Sequence, residues 1–239
     1  MSAAKILCIF AATIGLHIAS TSPNPPLAEG ERKIIPRTKL EFLLGSYQLR
    51  VAQTYLYWVL GAIEIAVVTA QVYPASLWSH YTLSVIACGG DPSRVHSSAS
   101  PTLALGALLI ACGAALRLAC YQALGTCFTF ELGIIQNHKL VTCGPYAIVR
   151  HPSYSGAILA YFGMLLYYAS PGSWVSECLI GGTTFGVVFG VIYASLMSFV
   201  VLGLLGRISK EDQGLRSEFG DAWAEYAAVV RFALVPRVF

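Results

Sequence analysis

Two stretches of an otherwise apolar chain hold side chains able to bind and position a charged ligand. In residues 136–156, Arg150 and His151 stand directly before Pro152. Proline is favoured in the first helical turn, so Pro152 should open a helix. Arg150 and His151 then sit beside its free N–H groups and positive dipole end. Such a corner suits an anion such as a carboxylate, which the planar guanidinium of Arg150 can grip bidentately. In residues 207–220, Arg207 and Glu211 are four apart and share a helix face. Asp212 and Arg216 have the better acid-before-base order and read as a structural pair. Phe219, Trp223, Tyr226 and Phe232 follow as interfacial aromatics that hold a tail against the headgroups.

Other chemistries lack their residues. The seven cysteines (8, 88, 112, 120, 127, 143 and 178) have no CxxC spacing. His138 and His151 have no partner carboxylate at ligand spacing, so no metal site is expected. There is no Ser/His/Asp or Cys/His arrangement, and no GxGxxG nucleotide fingerprint.

The elements that must carry these residues are membrane spans. Of 239 residues, 56% are hydrophobic and 11% charged, less than half the roughly 25% charge of a soluble domain. That excludes a soluble fold of this size, a disordered chain and a nucleic-acid binder. Five apolar segments read as helices at about 6–20, 51–73, 102–124, 155–169 and 183–205. Segment 6–20 has the length of a signal-peptide core, with Lys5 as its basic flank. Charge placement favours a retained span. Arg32, Lys33, Arg37, Lys39 and Arg50, then Lys139 and Arg150, then Arg207, Lys210, Arg216, Arg231 and Arg237 fall in every second connection, on one side of a five-span arrangement. Those twelve of fifteen cations place their three regions in the cytoplasm.

Within the spans, Arg117 is expected to snorkel to the interface, and Glu64 to make a structural polar contact inside the bundle. Gly106, Gly113, Gly186 and Gly190 read as packing glycines. Cys88 and Cys178 are the cysteines on the non-cytoplasmic side and can pair there.

The run His138-x-Leu140-Val141-Thr142-x-Gly144-x-Tyr146, continued by Arg150-His151-Pro152-x-Tyr154-x-Gly156, strongly resembles the signature of isoprenylcysteine carboxyl methyltransferases. Arg207-x-x-x-Glu211-Asp212-x-x-Leu215, followed by Phe219-Gly220-x-x-Trp223-x-x-Tyr226, is similar to that family's C-terminal motif. Family members often carry two glutamates where this chain has Glu211-Asp212. The first hundred residues match in hydropathy alone.

The resemblance implies an all-α integral membrane protein with about five transmembrane helices and a compact cytoplasmic cap. The cap would be built from residues 125–154 and the C-terminal tail. Residues 1–124 would supply membrane helices, and 125–239 the methyltransferase core. The implied reaction is S-adenosylmethionine-dependent methylation of the terminal carboxylate of a prenylated cysteine, on CAAX-type proteins at the endoplasmic reticulum membrane, without a metal. By position, His138, Lys139, Leu140, Val141, Tyr146, His151, Pro152, Ser153, Tyr154 and Glu211 would line the cofactor pocket. Arg150 and Arg207 would face the substrate, with Arg150 and Glu211 as the catalytic pair. A further cofactor contact falls within residues 128–133, with Glu131 a candidate. The rival readings are a phosphatidylethanolamine N-methyltransferase, a sterol reductase of looser resemblance, and a non-catalytic membrane homologue.

Overall fold

The computed structural model of the chain describes residues 2–25, 32–33, 46–96, 98–131, 134–135 and 139–238. His138, Gly133, Arg37 and Lys39 lie outside the described residues, and Arg32 and Lys33 are described by backbone alone. The helices are α1 (Ser2–Ser20), α2 (Tyr47–Val72), α3 (Leu77–Val85), α4 (Pro101–Leu124), α5 (Pro152–Ala169), α6 (Thr184–Phe219) and α7 (Asp221–Val229). Strand pairing among the described residues is one two-residue antiparallel contact, β1 (Arg32–Lys33) with β2 (Ile134–Ile135). The fold is all-α.

Helices α1, α2, α4 and α6 are long and apolar enough to cross a membrane. Helix α5 is the remaining expected span and starts at Pro152, as the proline position requires. Its 18 residues would reach about 27 Å, but Tyr154, Tyr161, Tyr167 and Tyr168 dilute its apolarity. Side-chain caps set the starts of three spans. Ser46, Ser100 and Thr183 accept from the N–H groups of Leu49, Leu103 and Gly186. Helix α6 runs for 36 residues without a break, about 54 Å, so its C-terminal turns project beyond a hydrocarbon layer of about 30 Å. Along the membrane it is loosely held: Gly186, Gly203, Arg207 and Ile208 are its buried residues.

The core lies where α1, α4 and α5 meet. Leu16, Tyr57, Leu103, Ile110, Met164 and Tyr167 pack there with two alanines. Glycines set the approach of α4 to α5. A Cβ on Gly106 would lie 2.6 Å from the Tyr167 nitrogen, and one on Gly113 2.6 Å from the Gly156 oxygen. Both expected packing roles hold. Gly186 and Gly190 instead accommodate the π-helical turn Val175–Ile180 that precedes α6, rather than another membrane helix.

The end of the bundle away from the motif residues is fastened by polar links. Cys88 and Cys178 form a disulfide. Glu64 is buried, as expected of a structural contact, and accepts from Tyr167 Oη at 2.7 Å and the Trp174 N–H at 2.8 Å. Lys5 is fully buried and donates to the His96 carbonyl at 2.6 Å. Helix α3 lies at this end with Leu77, Trp78 and Tyr81 exposed and Ser79 and Thr82 buried.

Gly113→Leu should force α4 and α5 apart and destabilise the protein by about 1–3 kcal/mol, read as a lower melting temperature in detergent. Gly206→Ala is the control, because nothing lies within 4 Å of the added Cβ. Equal melting of the two variants would show that the helices do not depend on this contact.

Candidate active site

At the opposite end three segments far apart in sequence are tied together. The chain leaves α4 through Gly125, where φ is +54°, and returns to α5 through a 3-10 turn at Gly144–Ala147. The C-terminal tail runs back across this entrance. The Arg150 N–H donates to the Phe232 carbonyl at 3.0 Å and the His151 N–H to that of Ala233 at 2.8 Å. Ser155 Oγ donates to the Leu234 carbonyl at 2.6 Å. Tyr226 Oη donates to the Tyr146 carbonyl at 2.8 Å, so this aromatic faces the cap rather than the headgroups.

The projecting turns of α6 bring the acids. Asp212 accepts from Arg150 Nη2 at 3.2 Å and from His151 Nε2 at 2.9 Å. This corrects the expected helix pair: among the described residues no ion pair joins Asp212 to Arg216. The tertiary partners win because they are shielded from water, where charge-assisted bonds are stronger than exposed i,i+4 pairs. Burial alone would raise the Asp212 carboxyl, but the His151 hydrogen bond and the nearby Arg150 charge hold it below its usual range. Burial likewise pushes the Tyr226 hydroxyl up to about 12, against the opposing pull of Arg150.

Helices α1, α2, α4, α5 and α6, with residues 127–131 and 140–151, enclose a cavity of about 490 Å³. Leu140, Val141, Tyr146, Arg150, His151, Ser153, Tyr154, Arg207 and Glu211 all stand on its wall, so most of the expected site residues are brought together. Glu131 joins them. Pro152 is fully buried behind the wall at the first turn of α5. Lys139 is exposed and off the wall.

Glu211 accepts from Tyr154 Oη at 2.5 Å and lies 3.9 Å from His151 Nδ1. Away from these charges the wall is apolar, with Leu56, Met164, Leu196 and Val200. Tyr193 Oη, which donates to Tyr57 Oη at 3.1 Å, and a Gln53–Tyr57 hydrogen bond add polar links on this wall.

Two arginines depart from expectation. The Arg150 fork is engaged within the protein: beside Asp212, its Nη1 reaches the carbonyls of Val230 at 3.1 Å and Arg231 at 2.5 Å. Only Nε is left without a hydrogen-bond partner. Arg117 does not snorkel. It is 3% exposed, lines the cavity, and donates to Tyr121 Oη at 2.9 Å and the Ser153 carbonyl at 3.0 Å. Hydropathy gave no sign of this, since an arginine amid leucines and alanines reads alike on a lipid-facing or an inward face.

Residues 101–193 match the family model described as phospholipid methyltransferase. Protein-S-isoprenylcysteine O-methyltransferase B of Arabidopsis thaliana is 32% identical over 124 residues, 51% of this chain and 53% of that protein. Protein-S-isoprenylcysteine O-methyltransferase A of the same plant is 30% identical over 127 residues, 52% of this chain and 55% of the relative. The 7-dehydrocholesterol reductase of Danio rerio is 28% identical over 108 residues, 45% of this chain but 19% of that longer protein. The chain thus spans about half the length of the methyltransferases it matches.

The Asp212 knot generates a pH prediction. A carboxyl held below its unfolded value of about 3.9 contributes fully above that value, and the contribution is lost as pH falls through the lower folded one. Asp212→Asn should therefore destabilise the protein by about 1–3 kcal/mol at pH 7 and flatten the acid limb of its stability curve. Wild-type melting at pH 7 would remove the knot from the structural account.

With its motif residues gathered on one wall, the chain is similar over residues 101–193 to the phospholipid methyltransferase family, and over about half its length to protein-S-isoprenylcysteine O-methyltransferases.

Proposed function

We propose that the protein transfers a methyl group from S-adenosylmethionine to the terminal carboxylate of a prenylated cysteine, on CAAX-type proteins. The observation that carries this reading is that one cavity joins a charged wall to an apolar one. Its cap end holds Arg117, Arg207, Glu211 and Tyr154, and away from these its wall is apolar beside the linked Tyr57 and Tyr193. A ligand with one anionic head and one hydrocarbon tail matches both ends.

The residues present fit the methyl donor. Glu211 can accept from an ammonium, the Tyr146 and Tyr154 rings are compatible with a sulfonium, and Arg207 Nε is a buried donor on the cavity wall without a hydrogen-bond partner. Leu140, Val141, His151 and Ser153 would complete that wall, with Pro152 fixing the turn behind it. When bound, the donor supplies an electrophilic methyl on sulfur. A carboxylate is already ionised at neutral pH, so the chain need not remove a proton. Its task is to align two reacting groups and keep water out, which can supply several kcal/mol. The tail bonded to Arg150 and His151 holds the cap shut around that alignment. In this role Arg150 is a positioning residue, and Arg207 meets the acceptor.

The cap would face the cytoplasm of an endoplasmic reticulum membrane. The Cys88–Cys178 bond at the other end supports an oxidising lumen there. One geometry favours phosphatidylethanolamine as the acceptor instead. An amine must lose a proton, and the His151–Asp212 pair resembles a base with its orienting acid.

Labelled S-adenosylmethionine offered with farnesylcysteine or with phosphatidylethanolamine separates the two. Label should enter farnesylcysteine and be released by mild alkali, as an ester is. Alkali-stable label in the phospholipid overturns the carboxylate reading. Glu211→Gln should weaken donor binding by about tenfold while leaving acceptor binding within about twofold, as titration of each ligand would reveal.

A further inference from the structure

Helix α3 is built with polar residues inward and apolar ones outward. Ser79 and Thr82 are buried, while Leu77 is 90% exposed and Tyr81 68%. With about 3.6 residues per turn, the exposed Leu77, Trp78, Tyr81 and Val85 share an arc of about 100°. His80 and Ser84, also exposed, follow on one flank of that arc. A helix set in water turns its leucines inward and its serines outward; α3 does the reverse.

The sequence around it points the same way. Residues 65–90 include no Asp, Glu, Lys or Arg, whereas a connection surrounded by water is built from polar and charged residues. The run begins within α2, one of the helices able to cross a membrane. The four residues between Val72 and Leu77 do not carry the chain away from that boundary. They fold back, with Ser79 Oγ donating to the Tyr73 carbonyl at 2.6 Å and Ser76 Oγ accepting from the Ser79 N–H at 3.1 Å. Val72 and Tyr73 are exposed as well, so apolar exposure continues along the chain from α2 into α3. Trp and Tyr are the side chains that favour the boundary between acyl chains and headgroups.

We propose that α3 lies in the surface of the bilayer leaflet away from the cap, with Leu77, Trp78, Tyr81 and Val85 among the upper acyl chains and His80 and Ser84 toward the headgroups. Its partner is neutral, zwitterionic phospholipid, because a helix without Lys or Arg gains no electrostatic attraction from anionic lipid. A second copy of the chain is the poorer occupant. A nine-residue helix offers far less than the roughly 800 Å² that each partner gives to a stable interface. The protein side of α3 carries its depth to the rest of the fold. Leu83 and Ile86 pack against Val67, Ala87, Val95 and Cys178, Trp174 Nε1 donates to the Ile86 carbonyl at 2.9 Å, and Cys88 is bonded to Cys178. The start of α6, a loosely held helix, is thereby tied to one seated in lipid. This membrane seat is independent of the reaction proposed above.

The test uses the full-length chain in phosphatidylcholine nanodiscs and reads Trp78 fluorescence as the difference between wild type and Trp78→Phe. The quenchers are phosphatidylcholine brominated near the glycerol end of its acyl chains, the same lipid brominated near the methyl end, and aqueous iodide. Most of the Trp78 emission should be lost to the first lipid, less to the second and none to iodide. Replacing part of the phosphatidylcholine with phosphatidylserine should leave this pattern unchanged. Should Trp78→Phe fail to fold, Tyr81→Trp in the otherwise wild-type chain must add emission with the same pattern. Quenching by iodide in place of brominated lipid overturns the proposal, because α3 then faces water. Protection from every quencher also overturns it and points to a second copy on this face. Strongest quenching from the methyl end overturns the surface position, and a lipid pattern that needs phosphatidylserine overturns the neutral partner.

Discussion

Asp212 is the point on which the cap depends. One carboxylate binds both residues that precede α5, Arg150 and His151. Those two residues bond through their backbone to the tail at Phe232 and Ala233. The end of α6, the start of α5 and the C-terminus are therefore parts of one polar joint. Charged partners left alone at such a place would carry a large desolvation penalty, so the joint forms as a whole. Below it Ile208, Ala233 and Leu234 pack against Tyr154 and Ile158, which gives the joint an apolar footing.

The bundle is fastened at both ends and relaxed between them. At the far end the disulfide, the Glu64 contacts and the buried Lys5 hold α1, α2 and the π-helical turn together. Between the two ends α4 and α5 meet backbone to backbone through glycine, while α6 stands off. Among the described residues, α2 and α6 are linked by Tyr57–Tyr193 and Gln53–Met197 hydrogen bonds. Rigid ends and a loosely closed side are what allow a cavity to persist in an otherwise close-packed helix bundle.

The chain announces much of this. Pro152 marks the start of α5 because proline can occupy only the first turn without breaking the helix. The two motifs predict a shared site, and ten of their residues do line one cavity. What could not be read depends on contacts made across the fold. The i,i+4 rule paired Asp212 with Arg216 because it knows only the helix, not the shielded arginine arriving from another segment. Arg117 looked like an interfacial cation because an apolar sequence does not say which side of a helix faces lipid. Helix α3 lies between the spans expected at 51–73 and 102–124, its nine residues too short and too mixed to give a clear period. The disulfide could be allowed but not required, because pairing depends on how closely α3 and the turn before α6 approach.

The standing-off of α6 has a thermodynamic consequence for anything that enters from the bilayer. Hydrocarbon leaving water gains a large free energy, but hydrocarbon leaving lipid gains almost none, since lipid tails are as apolar as the leucines that replace them. A hydrocarbon chain sliding from the membrane into the slot beside Leu196 and Val200 would exchange one oily neighbour for another. The tail then sets where a ligand is found, by confining it to the plane of the membrane, and contributes little to how tightly it is held. Discrimination among membrane lipids falls to the few polar atoms at the cap. For such a site the relevant concentration is the mole fraction of ligand in the bilayer, not its amount per litre of water.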